Sequence, residues 1–206
     1  MLKVLGRLTS INVRKVLWAL DEMGVGYERE DWGKPIRDPN VPEFLKLNPN
    51  ATVPVIVEEG FVLWESGPIL RYLADQHRSG LWPADPQERA LVDQWVTWQG
   101  TELNPSWVYA VMGLLRKNPD YQDKAMITQS IAKWTANMRI VDGHLERSGG
   151  LMANGRASLA DIVIALSTHR WLSVVVERPE LPAVEAHYRA MQGNAIGAKY
   201  LGEATP

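Results

Sequence analysis

The hydrophobic period of this chain changes once, and the change divides it. Up to residue 77 short apolar or β-branched runs alternate with helical stretches. Beyond RSGLWPADP at 78–86, a segment containing Gly and Pro, the strand signals fade and helix patterns take over. An α/β unit over 1–77, a linker over 78–86 and an all-helical unit over 87–206 are therefore expected.

In the first unit KVL reads as a buried strand. Val13, Val16, Leu17 and Leu20 then fall at i, i+3, i+4 and i+7 of a helix that Gly24 ends. GYEREDW reads as a second strand, and VPEFLKL at 41–47 as a short helix closed by NPN. VPVIV and FVLWE flank Glu58-Glu59-Gly60, a hairpin signal. SGPILRYLADQH opens a further helix with Ser66 as N-cap and Pro68 in its first turn. The order is βαβαββα. In the second unit the periodicity predicts helices over 87–116, 121–147, 158–173 and 181–192, and leaves open the path of the terminal NAIGAKYLGEATP.

Composition closes off several classes of function. The net charge of −2 is spread without a basic block, which argues against nucleic acid, since phosphate binding needs clustered Lys and Arg. No run approaches the roughly 18 apolar residues of a membrane span, and MLKVLGRL is too short in its apolar run for a secretory signal. The cytoplasm is the default compartment. The chain has no cysteine, which excludes disulfides, thiolate metal sites and a protein-borne thiol nucleophile. Its histidines, His77, His144, His169 and His187, have no ligand-like spacing, so no metal is expected.

Three short motifs carry the chemistry. TSIN at 9–12 stands before the first helix, VPV at 53–55 opens a strand-like run, and ES at 65–66 heads a helix. Ser10 and Asn12 are preferred helix caps, yet a hydroxyl or amide at a helix N-terminus can also donate to an anion. Ser66 has the same two readings. Pro54 cannot donate to a sheet and belongs at a strand's first residue or an edge. Arg14 and Lys15 oppose the helix dipole in the first turn and read as solvated cations.

Taken together and in this order, the motifs resemble the cytosolic glutathione S-transferase family, in its serine-type, bacterial or theta-like form. The resemblance covers nearly the whole chain and is strongest over 1–77. It implies a thioredoxin-like domain followed by a helical bundle that contributes the electrophile pocket, a homodimer, and glutathione as co-substrate. It also implies a cis Val53–Pro54 bond, with Val53 pairing its main chain to the cysteinyl unit of glutathione. Glu65 and Ser66 would meet the α-ammonium and α-carboxylate, and Ser10 would donate to the thiol sulfur, with Asn12 assisting and Thr9 as rival. Thr52 and Arg37 stand where relatives often carry a Gln or Lys and a His-Lys pair; Arg37 is the substitute for the glycyl carboxylate. Leu8, Trp107 and Val111 are second-substrate candidates, and a small apolar electrophile is expected there. No tyrosine lies in residues 1–26, which excludes tyrosine-type classes.

SLAD at 158–161 matches an internal capping motif, in which Asp161 reaches back to the Ser158 N–H. Other glutathione-dependent reactions on the same scaffold (peroxidase, disulfide-bond reductase, dehalogenase, isomerase) and a non-catalytic binding module are the remaining readings.

Overall fold

A computed structural model describes residues 1–153, 155–202 and 205. The sheet has four short strands: β1 (Lys3–Leu5), β2 (Glu28–Glu30), β3 (Val55–Glu58) and β4 (Phe61–Trp64). Their order is β2-β1-β3-β4, with β1 and β2 parallel and the other two pairs antiparallel. Successive residues of a strand face opposite ways. Val4 and Ile56 thus enter the main core, while Leu5 and Val55 join Trp32 and Phe44 in a smaller one across the sheet.

Helix α1 (Ile11–Glu22) connects the two halves, touching α3 (Ser66–Gln76), α7 (Leu159–Val174) and α9 (Ala195–Leu201). Val13, Val16, Leu17 and Leu20 are buried as their spacing requires, at about 1.5–3 kcal/mol each. The helix ends as Gly24 demanded. With φ 65°, Gly24 donates to the Asp21 carbonyl and Val25 donates to that of Leu20. A short helix α2 (Pro42–Leu45) lies between β2 and β3.

The order βαβαββα is the one expected, with one correction. Ser66 is not the N-cap of α3; it is the first helical residue, and Glu65 stands at the cap with φ 70°. Among the described residues no side chain caps that end, so the N–H groups of the first turn are left for something else.

The helical half holds α4 (Pro86–Trp98), α5 (Asn104–Ala110), α6 (Lys124–Ser148), α7, α8 (Pro182–Gln192) and α9. The single helix expected over 87–116 is interrupted twice by wide turns, at 99–103 and 111–115, where N–H groups reach back five residues. Pro105 lies two residues past the first, and its ring has no N–H for the Thr101 carbonyl. Gly113 lies in the second; a Cβ there would stand 2.3 Å from the Tyr121 carbonyl oxygen. Helix α7 is buried on every face from Leu159 to Trp171 and packs on α1, α4, α8 and α9. Among the described residues no helix is long and apolar enough to cross a membrane.

The sequence left the C-terminal path open. Residues 195–201 form α9, which lies back on α1: Tyr200 stacks on Trp18 at 5.7 Å and its hydroxyl donates to Asp21 Oδ2 at 2.7 Å. Glu203, Ala204 and Pro206 lie outside the described residues.

Candidate active site

Three hollows surround the first turn of α1, and Asn12 borders each of them. One, of about 320 Å³, runs along Glu65, Ser66 and the wide turn at 99–103. A second, of about 560 Å³, lies between Thr52-Val53 and the loop at 33–40. The third, of about 230 Å³, lies against Ser10, Trp107 and Val111.

Ser10 occupies the N-cap position of α1, but its hydroxyl makes no capping bond and has no partner among the described residues. No acidic side chain stands in the first turn either. The N–H groups of that turn, which have no acceptor among the described residues, are an anion site in waiting. Thr9, its rival, is exposed; its hydroxyl accepts from Arg7 and its carbonyl accepts from Arg116 Nη2 at 2.8 Å. Thr9 borders none of the three hollows.

Arg14 and Lys15 are not solvated cations: they are 1% and 3% exposed. Arg14 donates to the Leu8 carbonyl at 2.7 Å and to the Tyr200 carbonyl at 3.0 Å, tying the first turn to α9. Lys15 Nζ donates to Asn12 Oδ1 at 2.9 Å and to Gln99 Oε1 at 2.5 Å, and Gln99 passes a bond to Ser167. Burial, reinforced by the Arg170 charge and opposed by Glu65, brings the Lys15 pKa down to about 7. Asn12 is thereby fixed with its oxygen toward Lys15, which leaves its amide N–H groups for the groove.

The Val53–Pro54 bond is cis, as the resemblance implied, and Lys34–Pro35 is cis as well. Among the described residues neither the N–H nor the carbonyl of Val53 has a partner. Thr52 is held by Asn48, whose amide donates to the Thr52 carbonyl at 2.9 Å and to its hydroxyl at 3.1 Å. Glu65 keeps a positive φ without being glycine, at a cost of about 1–3 kcal/mol, and such strain clusters at ligand sites.

Two expectations need correction. Arg37 is not turned into the groove: its guanidinium lies 3.5 Å over the Trp32 ring and pairs with Glu43 at 3.3 Å. The cations bordering the Thr52-Val53 hollow are Arg7 and Lys34, the latter paired with Asp38 at 3.1 Å. Nor is the Ser10 hollow purely apolar. Trp107 and Val111 do line it, but Leu8 does not, and Arg7, Arg116 and Arg170 do. Sequence reasoning missed Lys15, Gln99 and these arginines. The one local signal was the pair of cations in the first turn of α1, where the helix dipole disfavours them.

Ser158 and Asp161 form the expected capping box: the Ser158 N–H and hydroxyl both donate to Asp161 Oδ2, at 2.9 and 2.8 Å. Asp161 Oδ1 additionally accepts from the Met152 N–H and from His187 Nε2. Among the described residues no three His, Asp or Glu side chains group as metal ligands.

Residues 9–76 match the family model described as the glutathione S-transferase N-terminal domain. Over 202 residues the chain is 31% identical to glutathione S-transferase GstB of Escherichia coli K12, covering 89% of this chain and 97% of that one. Among solved structures it is similar to a theta class glutathione S-transferase of Xanthomonas axonopodis pv. citri with glutathione bound. There the TM-score is 0.92 and identity 30%, covering 100% of this chain and 99% of that one. A glutathione S-transferase of Pseudomonas fluorescens gives a TM-score of 0.84 at 26% identity, covering 95% and 96%.

Proposed function

The chain belongs to the glutathione S-transferase family, and on that footing we propose that it holds glutathione around the first turn of α1, activates its thiol at Ser10 and transfers it to an electrophile seated against Trp107 and Val111. The observation that carries this reading is the Ser10 hydroxyl. It stands at an uncapped helix N-terminus with no partner among the described residues, on the edge of a hollow.

The rest of the groove supports the tripeptide's placement. Its γ-glutamyl end takes the strained Glu65 and the free N–H groups at Ser66; its cysteinyl main chain pairs with Val53, in the manner of an added strand. Its glycyl carboxylate takes Lys34 and Arg7 in place of Arg37. A free thiol near pKa 8.5 is mostly protonated at neutral pH, and lowering it by two units takes roughly 2.7 kcal/mol. One charge-assisted hydrogen bond contributes about 1.5–3 kcal/mol, and the helix end adds about 0.3–1 kcal/mol. Serine acts as a donor, not as a base. The thiol proton leaves to solvent, the sulfur bonds to carbon, and the leaving group departs with its electron pair.

The chain pairs as a homodimer through the α3 and α4 side, where Phe61, Trp64 and Leu91 are exposed.

The test uses 1-chloro-2,4-dinitrobenzene with glutathione. The expected product is the glutathione thioether, at a rate that saturates in glutathione and falls about 10–100-fold in Ser10→Ala. Consumption of a peroxide or a glutathione disulfide without thioether formation would replace the transferase reading with a peroxidase or reductase one.

A further inference from the structure

One hydrogen-bonded chain beside the groove has its polarity fixed link by link, and only its last link can reverse. It starts on α7, where Ser167 Oγ lies 2.6 Å from the Val163 carbonyl. A carbonyl only accepts, so Ser167 commits its one proton there and must accept from Gln99 Nε2 at 3.2 Å. With its NH2 so engaged, Gln99 turns its oxygen to Lys15 Nζ at 2.5 Å, and Lys15 must donate. Ser167, Gln99 and Lys15 are all buried, which makes a mismatched bond among them costly. The last link, from Lys15 Nζ to the Asn12 side chain at 2.9 Å, has no such anchor. An ammonium has no lone pair, so Asn12 can offer it only Oδ1 and keeps its NH2 for the groove. An amine has one, and can accept from that NH2 while the amide turns its oxygen outward.

Which end of the amide faces outward matters to an anion. Asn12 borders all three hollows, the one against Ser10 included. An N–H turned to a thiolate stabilises its charge, and an oxygen turned to it repels. The surroundings hold Lys15 close to the change of form. Its Nζ bonds to two neutral amides and, among the described residues, to no carboxylate. Burial brings its pKa down to about 7; Arg170 on α7 adds to that, and Glu65 ahead of α3 opposes it. Other charges on the neighbouring elements are engaged elsewhere. Arg14 bonds to the Leu8 and Tyr200 carbonyls, Arg71 of α3 to Asp93, and Lys199 of α9 to Asp21.

We propose that Lys15 is a positioning residue that takes up a proton as bound glutathione gives one up: the thiolate draws the Asn12 N–H toward itself, and that orientation of the amide requires Lys15 as ammonium. This rests on the transferase reading above and deepens it, since Asn12 serves the sulfur only through Lys15. Atoms and charge balance. The S–H bond breaks, its electron pair stays on sulfur and its proton leaves to solvent. A proton from solvent adds to the Lys15 lone pair, so protein and ligand together keep their net charge. The anion and the cation form near one another, and each favours the other.

The test counts protons. Titration calorimetry of the full-length protein at pH 8, in buffers of different ionisation enthalpy, gives the number exchanged when glutathione binds. At that pH about three-quarters of free glutathione carries its thiol proton, and about one-tenth of Lys15 carries its third. S-methylglutathione, which has no thiol, supplies the count for the rest of the tripeptide. Wild type is expected to give nearly the same count with both ligands, because Lys15 regains what the thiol loses. Lys15→Met is expected to release about 0.5–0.8 proton more with glutathione than with S-methylglutathione. Gln99→Glu sets a carboxylate against Lys15, holds it charged throughout and is expected to release the same excess. That variant keeps the Asn12 amide in place, so its conjugation of 1-chloro-2,4-dinitrobenzene falls less than that of Lys15→Met. A wild-type excess of about 0.5–0.8 proton, or variant counts that match wild type, overturns the proposal while the transferase reading stands. Glutathione that does not bind, or that yields no thioether with 1-chloro-2,4-dinitrobenzene, overturns both.

Discussion

At neutral pH the Lys15 ammonium is only about half protonated, because burial costs its charge more than Asn12 and Gln99 return. In the unfolded chain the same group titrates near 10.4. Between about pH 7 and about pH 10 the unfolded state therefore binds more protons, and stability rises with pH over that window. Below pH 7 the full cost is present. Replacing Lys15 with Met should remove this climb: the unfolding free energies of wild type and variant differ in slope by up to about 1.4 kcal/mol per pH unit mid-window. Denaturant titrations at pH 6, 8 and 10 measure it, and equal slopes would contradict it. Lys15 and Arg14 also mark where local reading stops. Their placement in the first turn was anomalous in the sequence, but only packing shows them enclosed by Gln99, Ser167 and Tyr200, which lie far along the chain. That Ser10, Asn12 and Val53 would border a groove was legible because each sits at a backbone position with a known geometric meaning. Arg37 was misread because nothing local distinguishes a loop cation stacked on Trp32 from one turned inward.

Among the elements, α7 shows a motif doing more than its spacing announced. SLAD predicted a cap, but Asp161 also holds the Met152 N–H and His187, and the carboxylate is wholly buried. Ser158→Ala should cost about 1 kcal/mol, as an ordinary cap does. Asp161→Ala strands four donors in the interior and should cost about 3–5 kcal/mol. Similar losses for the two variants, in urea unfolding, would mean that the Met152 and His187 bonds contribute little. The elements of the first 77 residues were readable because period, turn chemistry and order agreed with one another. The wide turns were not, since a hydrophobic count over 87–116 passes through Pro105 and Gly113 without registering what each does to the helix. Nor was α9, whose seven residues are too few for a period to emerge and whose stability comes from Trp18 and Asp21 on α1.

For the whole molecule, the groove exists because α1 stands between the sheet and α7, with its N-terminus left open toward both halves. The division into an α/β and a helical half could be read from the sequence. The convergence of Arg7, Arg116 and Arg170 could not, since no local pattern links them. The exposed Phe61 and Trp64 on β4 with Leu91 on α4 give a further expectation. Sedimentation equilibrium should return twice the chain mass, and Phe61→Glu should shift the population toward single chains at micromolar concentration. A wild-type mass of one chain would remove the dimer. The central claim is that the open end of α1 and the Ser10 hydroxyl turn glutathione into a thiolate. It is tested most directly by the ultraviolet difference spectrum of glutathione bound to the protein, titrated across pH for wild type and Ser10→Ala. The account predicts a thiolate band in wild type with its midpoint about two units below the free thiol, moved back toward the free value in the variant. A wild-type midpoint at the free value, or one unchanged by Ser10→Ala, would contradict it.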